Sequence, residues 1–343
     1  MYIYIYCLYS SVLVRFIYGD FFKSMELVVG VDYPTLARAI IFSNIYVLLG
    51  LGLNLTYITT KIPSFAHGDL ATVGAYVSYL TIVFLLLPSG LPASVYLTFP
   101  FVALVTGAVA VLTYIAVFRP MIRRGAGITS LMIASFGLHF VMFAAVAIVA
   151  DYVQNTYGVL SRNVLLARWE YIWPGTDPLT SALINTSIMV VVITALLYLL
   201  LYKTRYGIIM RASIDNLYLA KAAGINVERV FAIAWLLIGA VTGIAGVYMA
   251  MFFPMTEELG WLRLAVMFVA SVVGGLSNIY GAVLGGYVVG LGLVLGAAYI
   301  LTPLGVPTEF QLVIPFAFVI VILLFAPQGL AGIISSLAQR GRR

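Results

Sequence analysis

Apolar runs of about 20 residues, long enough to cross bilayer hydrocarbon as helix, recur along this chain. In lipid every backbone N–H and C=O must be paired within its own segment, so such runs can only be helices. A transmembrane barrel would show short alternating segments instead. Composition agrees, with 63% hydrophobic residues, 9% charged residues and a mean hydropathy of +1.11. A soluble domain is roughly 25% charged. The predicted fold class is all-α, a polytopic transmembrane helical bundle of about 8–10 spans. Spans are predicted at 37–60, 69–87, 96–118, 128–150, 182–202, 230–253, 264–280, 281–300 and 310–326. The Gly-rich run 264–300 reads either as two spans or as one span plus a half-helix. Residues 1–24 are a leader or an extra span, and translation from Met25 is the competing reading. Residues 25–330 are expected to form a single transmembrane domain, and 331–343 a basic cytoplasmic tail.

Charge sets the sidedness. Arg119, Arg123 and Arg124 stand in 119–127 without an acid. Lys203, Arg205, Arg211, Lys221 and Arg229 crowd 203–229, and the tail holds Arg340, Arg342 and Arg343. The positive-inside rule puts all three segments in the cytoplasm. Loop 151–181 carries Asp151, Glu170 and Asp177 with a belt of Trp169, Tyr171 and Trp173, and falls outside, as does 254–263 with Glu257 and Glu258. The net charge of +6 therefore reflects topology rather than nucleic acid. A single cysteine, Cys7, rules out an intrachain disulfide.

Two segments break the apolar pattern. Ile62–Tyr76 reads IPSFAHGDLATVGAY, and Pro63, Gly68 and Gly74 favour a broken or re-entrant helix near 61–69. On that reading Ser64, His67, Gly68 and Gly74 are candidates for the translocation path. Asp69 is then a first-turn acid or N-cap of the next span. An ordinary cytoplasmic turn is the competing reading. Asn54, inside the first span, is a path candidate or an interhelical hydrogen-bonding residue. His139 reads as a packed or hydrogen-bonded interior histidine. The second segment, 203–229, carries helix punctuation. Ser213 or Asp215 is a candidate N-cap. Ile214, Leu217, Tyr218 and Ala222 form an apolar stripe. Gly224 is a left-handed stop, and Asn226 caps the next helix with Glu228 in its first turn. The expectation is a short amphipathic helix near 211–224 below the membrane. It rests on lipid, docks into a partner's cleft or closes a pore.

Gly281, Gly285 and Gly292 have the spacing of close helix packing. Ser277 to Gly281 loosely echoes Ser64 to Gly68, which suggests an internal repeat. Lys203 alone of the four lysines precedes a Thr, and Tyr202 precedes it, so no Walker A loop is present. No catalytic residue set is apparent, and two histidines are poor metal evidence. A metal site, a bound cofactor and covalent catalysis are not expected.

Together GLGLNLTY, SFAHGDLATVGAY, RASIDNLYLAKAAGINVERV and GGLSNIYGAVLGG resemble the permease subunits of ATP-binding-cassette importers for branched-chain amino acids. The resemblance is to the shorter of the two partner permeases and covers roughly Met25 to Leu330. Urea and short-chain amide importers look similar. The resemblance implies alternating access in the cell membrane, driven by ATP that separate subunits hydrolyse. It implies as partners a second permease subunit (a different chain in preference to a second copy), two cytoplasmic ATPases and an external binding protein. It assigns contact with the ATPase to Arg211, Ala212, Ala220, Gly224, Ile225 and Asn226. The Glu-Ala-Ala triplet of other importer classes is here Tyr218, Leu219 and Ala220. An ion-coupled secondary transporter and a membrane-embedded hydrolase or lipid transferase are the rival readings.

Overall fold

The computed structural model describes residues 32–325 and 328–332. The leader 1–24 and the tail arginines Arg340, Arg342 and Arg343 lie outside the described residues. Helices α1 (Tyr33–Thr60), α2 (His67–Leu86), α3 (Val95–Arg123), α4 (Ile128–Tyr157) and α5 (Pro178–Lys203) are followed by two short helices, α6 (Arg205–Asp215) and α7 (Leu217–Ala222). The chain continues through α8 (Val227–Phe252), α9 (Trp261–Gly274), α10 (Ile279–Leu301) and α11 (Val313–Phe325). Among the described residues eight helical stretches, the last of them Phe310–Gly332 around α11, are long and apolar enough to cross a membrane, so the chain is a multi-pass helical bundle.

Burial ranks the helices. In its most apolar stretch α1 is 83% buried, whereas α4 is 22% buried and presents Ile133, Val141 and Ile148 outward, as a lipid-facing helix does. Glycine brings α1, α2, α8, α9 and α10 close. A Cβ on Gly74 would strike the Gly243 backbone, one on Gly246 the Ala71 carbonyl, and one on Gly286 the Val47 backbone. Association in lipid depends on such contact, because no hydrophobic driving force separates helix from tail.

The Gly-rich run divides as a half-helix plus a span. Helix α9 has only 14 residues and stops at Gly274. Gly275 follows at φ +108°, a backbone conformation that side chains with a Cβ rarely adopt. Asn278 then caps α10, accepting from Tyr280 N–H at 3.1 Å. Gly281 sits against the Gly274 and Gly275 backbone, Gly285 against Ala270, and Gly292 against the Phe318 ring.

The 203–229 segment departs from the expectation of one helix over 211–224. Thr204 caps α6, and Asn216 breaks the chain and caps α7 by accepting from Tyr218 and Leu219 N–H. Ser213 and Asp215 cap nothing: Ser213 lies inside α6 and donates to Ile209 O at 2.8 Å. The predicted stripe is split by the break. Ile214 is half-buried, whereas Tyr218 is 83% exposed.

Candidate translocation seam and coupling surface

Helix α1 ends at Thr60, where Lys61 adopts a left-handed conformation. Residues 61–66 then climb back along α1. His67 Nε2 donates to Leu49 O at 3.1 Å, and Leu49 lies about three turns above the end of α1. Thus α2 starts at mid-depth, and the segment is re-entrant. Asp69 stands in its first turn, and Ala66 holds the N-cap position without a side-chain bond. The other end of the bundle does the converse. After α8, residues 253–260 pair Met255 with Val164 of the outer loop, then descend until Gly260 N–H donates to Thr72 Oγ1 at 2.9 Å. Helix α9 starts there and runs back to the end of the bundle where Asn54 holds the 275–278 turn. Two half-helices of opposite direction thus meet start to start, with Gly68 against Gly260. Residues 253–260 thus re-enter the bundle before a helix start, as 61–66 do. Residues 275–278 are instead a turn held by Asn54, whose Nδ2 donates to Gly275 O at 3.1 Å and Asn278 O at 2.8 Å.

The meeting point is polar. His139 Nδ1 lies 3.0 Å from both carboxylate oxygens of Asp69, and the His139 ring stacks on Trp261 at 4.0 Å. His67 also reaches Thr242 Oγ1 at 3.3 Å. Asn54, Ser64, His67, Gly68 and Gly74 are all buried. Of these candidate seam residues, His67 and Gly68 stand where the half-helices meet, Gly74 packs on Gly243 of α8 and Asn54 holds the 275–278 turn, while the Phe65 ring meets Phe268 at 5.6 Å.

Below the seam, α7 ends in a Schellman turn. Ile225 N–H donates to Ala220 O and Gly224 N–H to Lys221 O, both at 3.0 Å, with Gly224 at φ +81°. Asn226 caps α8 by accepting from Arg229 N–H at 3.2 Å. Ala220 is buried and anchors the turn, whereas Arg211, Ala212, Gly224 and Asn226 are exposed and Ile225 is half-buried. Tyr218 and Leu219 project from α7 at 83% and 67% exposure. Glu228 pairs with Arg119 and Arg123, whose Nε donates at 2.8 Å, and so ties the foot of α3 to the start of α8.

On the outer side, Glu170 accepts from Tyr96 Oη at 3.1 Å. Burial pushes its carboxyl up to about 7, against the opposing hydrogen bonds from Tyr96 and Asn185. The folded state therefore holds this proton more tightly than the unfolded chain does. Stability from this site is full below the ordinary carboxylate range and is lost as pH rises to about 7. Glu170→Gln is expected to flatten the dependence of thermal stability between pH 4.5 and 8 and to raise the melting temperature at pH 8. An unchanged profile would contradict the burial.

Sequence reasoning passed over the Asp69–His139 pair, since nothing local joins residues 70 apart in sequence. It also passed over Asn44, whose Nδ2 donates to Thr186 Oγ1 at 3.1 Å and whose Oδ1 accepts from Tyr287 at 2.8 Å. Arg38 and Arg263 escaped it too, although charges inside apolar runs are a readable signal.

Comparisons with known proteins bear on this arrangement. Residues 35–323 match the family described as the permease component of the branched-chain amino acid transport system. The chain is 35% identical over 302 residues to a probable branched-chain amino acid transport permease protein LivH of Methanocaldococcus jannaschii, covering 87% of this chain and 92% of that one. It is 29% identical to a high-affinity branched-chain amino acid transport system permease protein LivH of Salmonella typhimurium, covering 86% and 94%. The Escherichia coli K12 protein of the same name is 28% identical, with the same coverage. No solved structure matches the chain.

Proposed function

This chain belongs to the family of permease components of the branched-chain amino acid transport system, and from that premise we propose that it is the membrane subunit of an ATP-binding-cassette importer carrying branched-chain amino acids. It forms the pathway with a second permease subunit. Cytoplasmic ATPases dock on α6–α7, an external binding protein delivers the substrate, and this chain hydrolyses no ATP itself. The observation that carries the reading is a continuous line of contacts from coupling surface to seam. The α7 turn leads through Asn226 into α8, and Thr242 of α8 touches His67. Gly243 and Gly246, also in α8, pack against α2. A push on α6–α7 tilts α8, and α8 parts or closes the half-helices beside Asn54, Ser64, His67, Gly68 and Gly74. Arg211, Ala212, Ala220, Gly224, Ile225 and Asn226 form or support the docking surface. Motion of one rigid bundle half against another is the general route to alternating access.

The buried Asp69–His139 pair favours one second reading. It is the kind of intramembrane acid that an ion-coupled transporter uses. Leucine uptake by proteoliposomes holding the complete assembly decides between them. The importer reading expects uptake that requires ATP and is unaffected by collapsing the proton gradient. Uptake that persists without ATP and stops with an uncoupler would establish the second reading instead.

A further inference from the structure

A cavity of about 480 Å³ opens between the outer third of α1, the first turn of α9 and the last turns of α10. It falls within the roughly 300–1,000 Å³ of small-molecule sites. Two guanidinium groups line it, Arg38 and Arg263, together with the Thr35 hydroxyl and an apolar wall that includes Phe42, Phe253 and Val294. Arg263 is held in place rather than free. Its guanidinium lies 3.7 Å from the centre of the Phe253 ring, and Nη1 donates to Leu259 O at 3.2 Å. The Phe253 ring is itself braced edge-on by Phe42 at 5.2 Å.

That arrangement leaves Arg263 unfinished. Its Nε is buried and has no hydrogen-bond partner. No carboxylate of the described residues pairs with Arg38 or Arg263. Arg263 also stands in the first turn of α9, where the helix dipole is positive and a cation is disfavoured. A half-buried cation in an apolar run, with an unused donor and a helix start behind it, is costly unless an anion completes it. Guanidinium donors in a planar fork match a carboxylate.

The geometry points to this cavity as a binding site for the α-carboxylate of an aliphatic amino acid, held by Arg263 with Arg38 at the rim and with the side chain against the Phe42–Val294 wall. The assignment rests on the importer reading and adds the place where substrate pauses on the outer side of the seam.

The test uses Val294→Cys in a Cys7→Ser background, since Cys7 is the chain's single cysteine. The assembled transporter is labelled with two methanethiosulfonates of equal reach, one bearing a sulfonate and one a trimethylammonium group. The sulfonate reagent is expected to react about ten-fold faster or more, as a positive cleft field dictates. Arg263→Gln should reduce that preference to about two-fold or less. Leucine should protect the thiol, and leucinamide, which lacks the carboxylate, should not. Arg263→Lys guards against misfolding: it should keep the anion preference while weakening protection by leucine about ten-fold. Equal rates for the two reagents, or no protection by leucine, overturns the assignment. If the wild-type assembly takes up leucine and yet shows neither effect, the cavity assignment alone has failed. If it takes up none, the importer reading has failed.

Discussion

Gly260→Leu is expected to abolish accumulation of folded protein, and Gly260→Ala to cost about 3 kcal/mol or more, at or above the usual range for overpacking. The cause is steric, because Gly260 has φ −78°, which any residue adopts. A Cβ there would overlap the Gly68 carbonyl and crowd Thr72 Oγ1. A flexible side chain could rotate away from such a clash, but here backbone meets backbone at the start of two half-helices. Gly127 serves as the control, since nothing lies near its Cβ direction, and Gly127→Ala should be nearly neutral. Thermal unfolding of the purified variants checks both. A Gly260→Leu chain as stable as wild type would mean that the half-helices do not meet at this point.

Asp69→Ala should be the most damaging substitution among the buried polar groups. Asp69 and His139 are 1% and 5% exposed. Removing one partner of such a buried pair leaves the other uncompensated and costs about 3–5 kcal/mol. Asp69→Asn should cost less, because its carbonyl still accepts from His139 Nδ1–H. Adding His139→Phe to Asp69→Ala should recover part of the loss, since no orphaned polar group remains and the ring still packs on Trp261. A double-mutant cycle on unfolding free energy measures this coupling. Strict additivity of the two single changes would show that the pair is not a pair.

Much of the bundle was legible because its signals are local. Each long apolar run became a helix, although the one predicted at 128–150 runs on to Tyr157 and the one predicted at 264–280 stops at Gly274. Pro63 and Gly68 marked the re-entrant break, and Gly224 and Asn226 marked the end of α7 and the cap of α8 as read. The misses share a physical cause. Asn216 was passed over because a single break inside a cytoplasmic helix differs from an ordinary polar helical residue only by its backbone conformation, φ −149° and ψ 100°. The counterpart of 61–66 was sought at 277–281 by likeness of residues. The re-entrant course of 253–260 went unread, because the direction in which a segment re-enters the bundle is not written in local sequence. The pairing of Asp69 with His139, and of Asn54 with the 275–278 turn, needed long-range packing to become visible.

The measurement that bears most directly on the central claim is retention of the partner ATPase. The chain is expressed with the proposed ATPase and second permease subunits and purified through a tag on this chain. Wild type is compared with Leu219→Asp and with Gly224→Arg. Leu219 is 67% exposed and Gly224 has open space around it, so neither change should prevent the bundle from folding. Leu219→Asp puts a charge on the projecting face of α7. Gly224→Arg forces a residue with a Cβ into the left-handed stop, at about 1–2 kcal/mol of strain. The account predicts that wild type retains the ATPase and that both variants lose it about ten-fold or more, as expected when an interface anchor is removed. Full retention by both variants, with the chain correctly inserted, would place the ATPase elsewhere and contradict the coupling role of α6–α7.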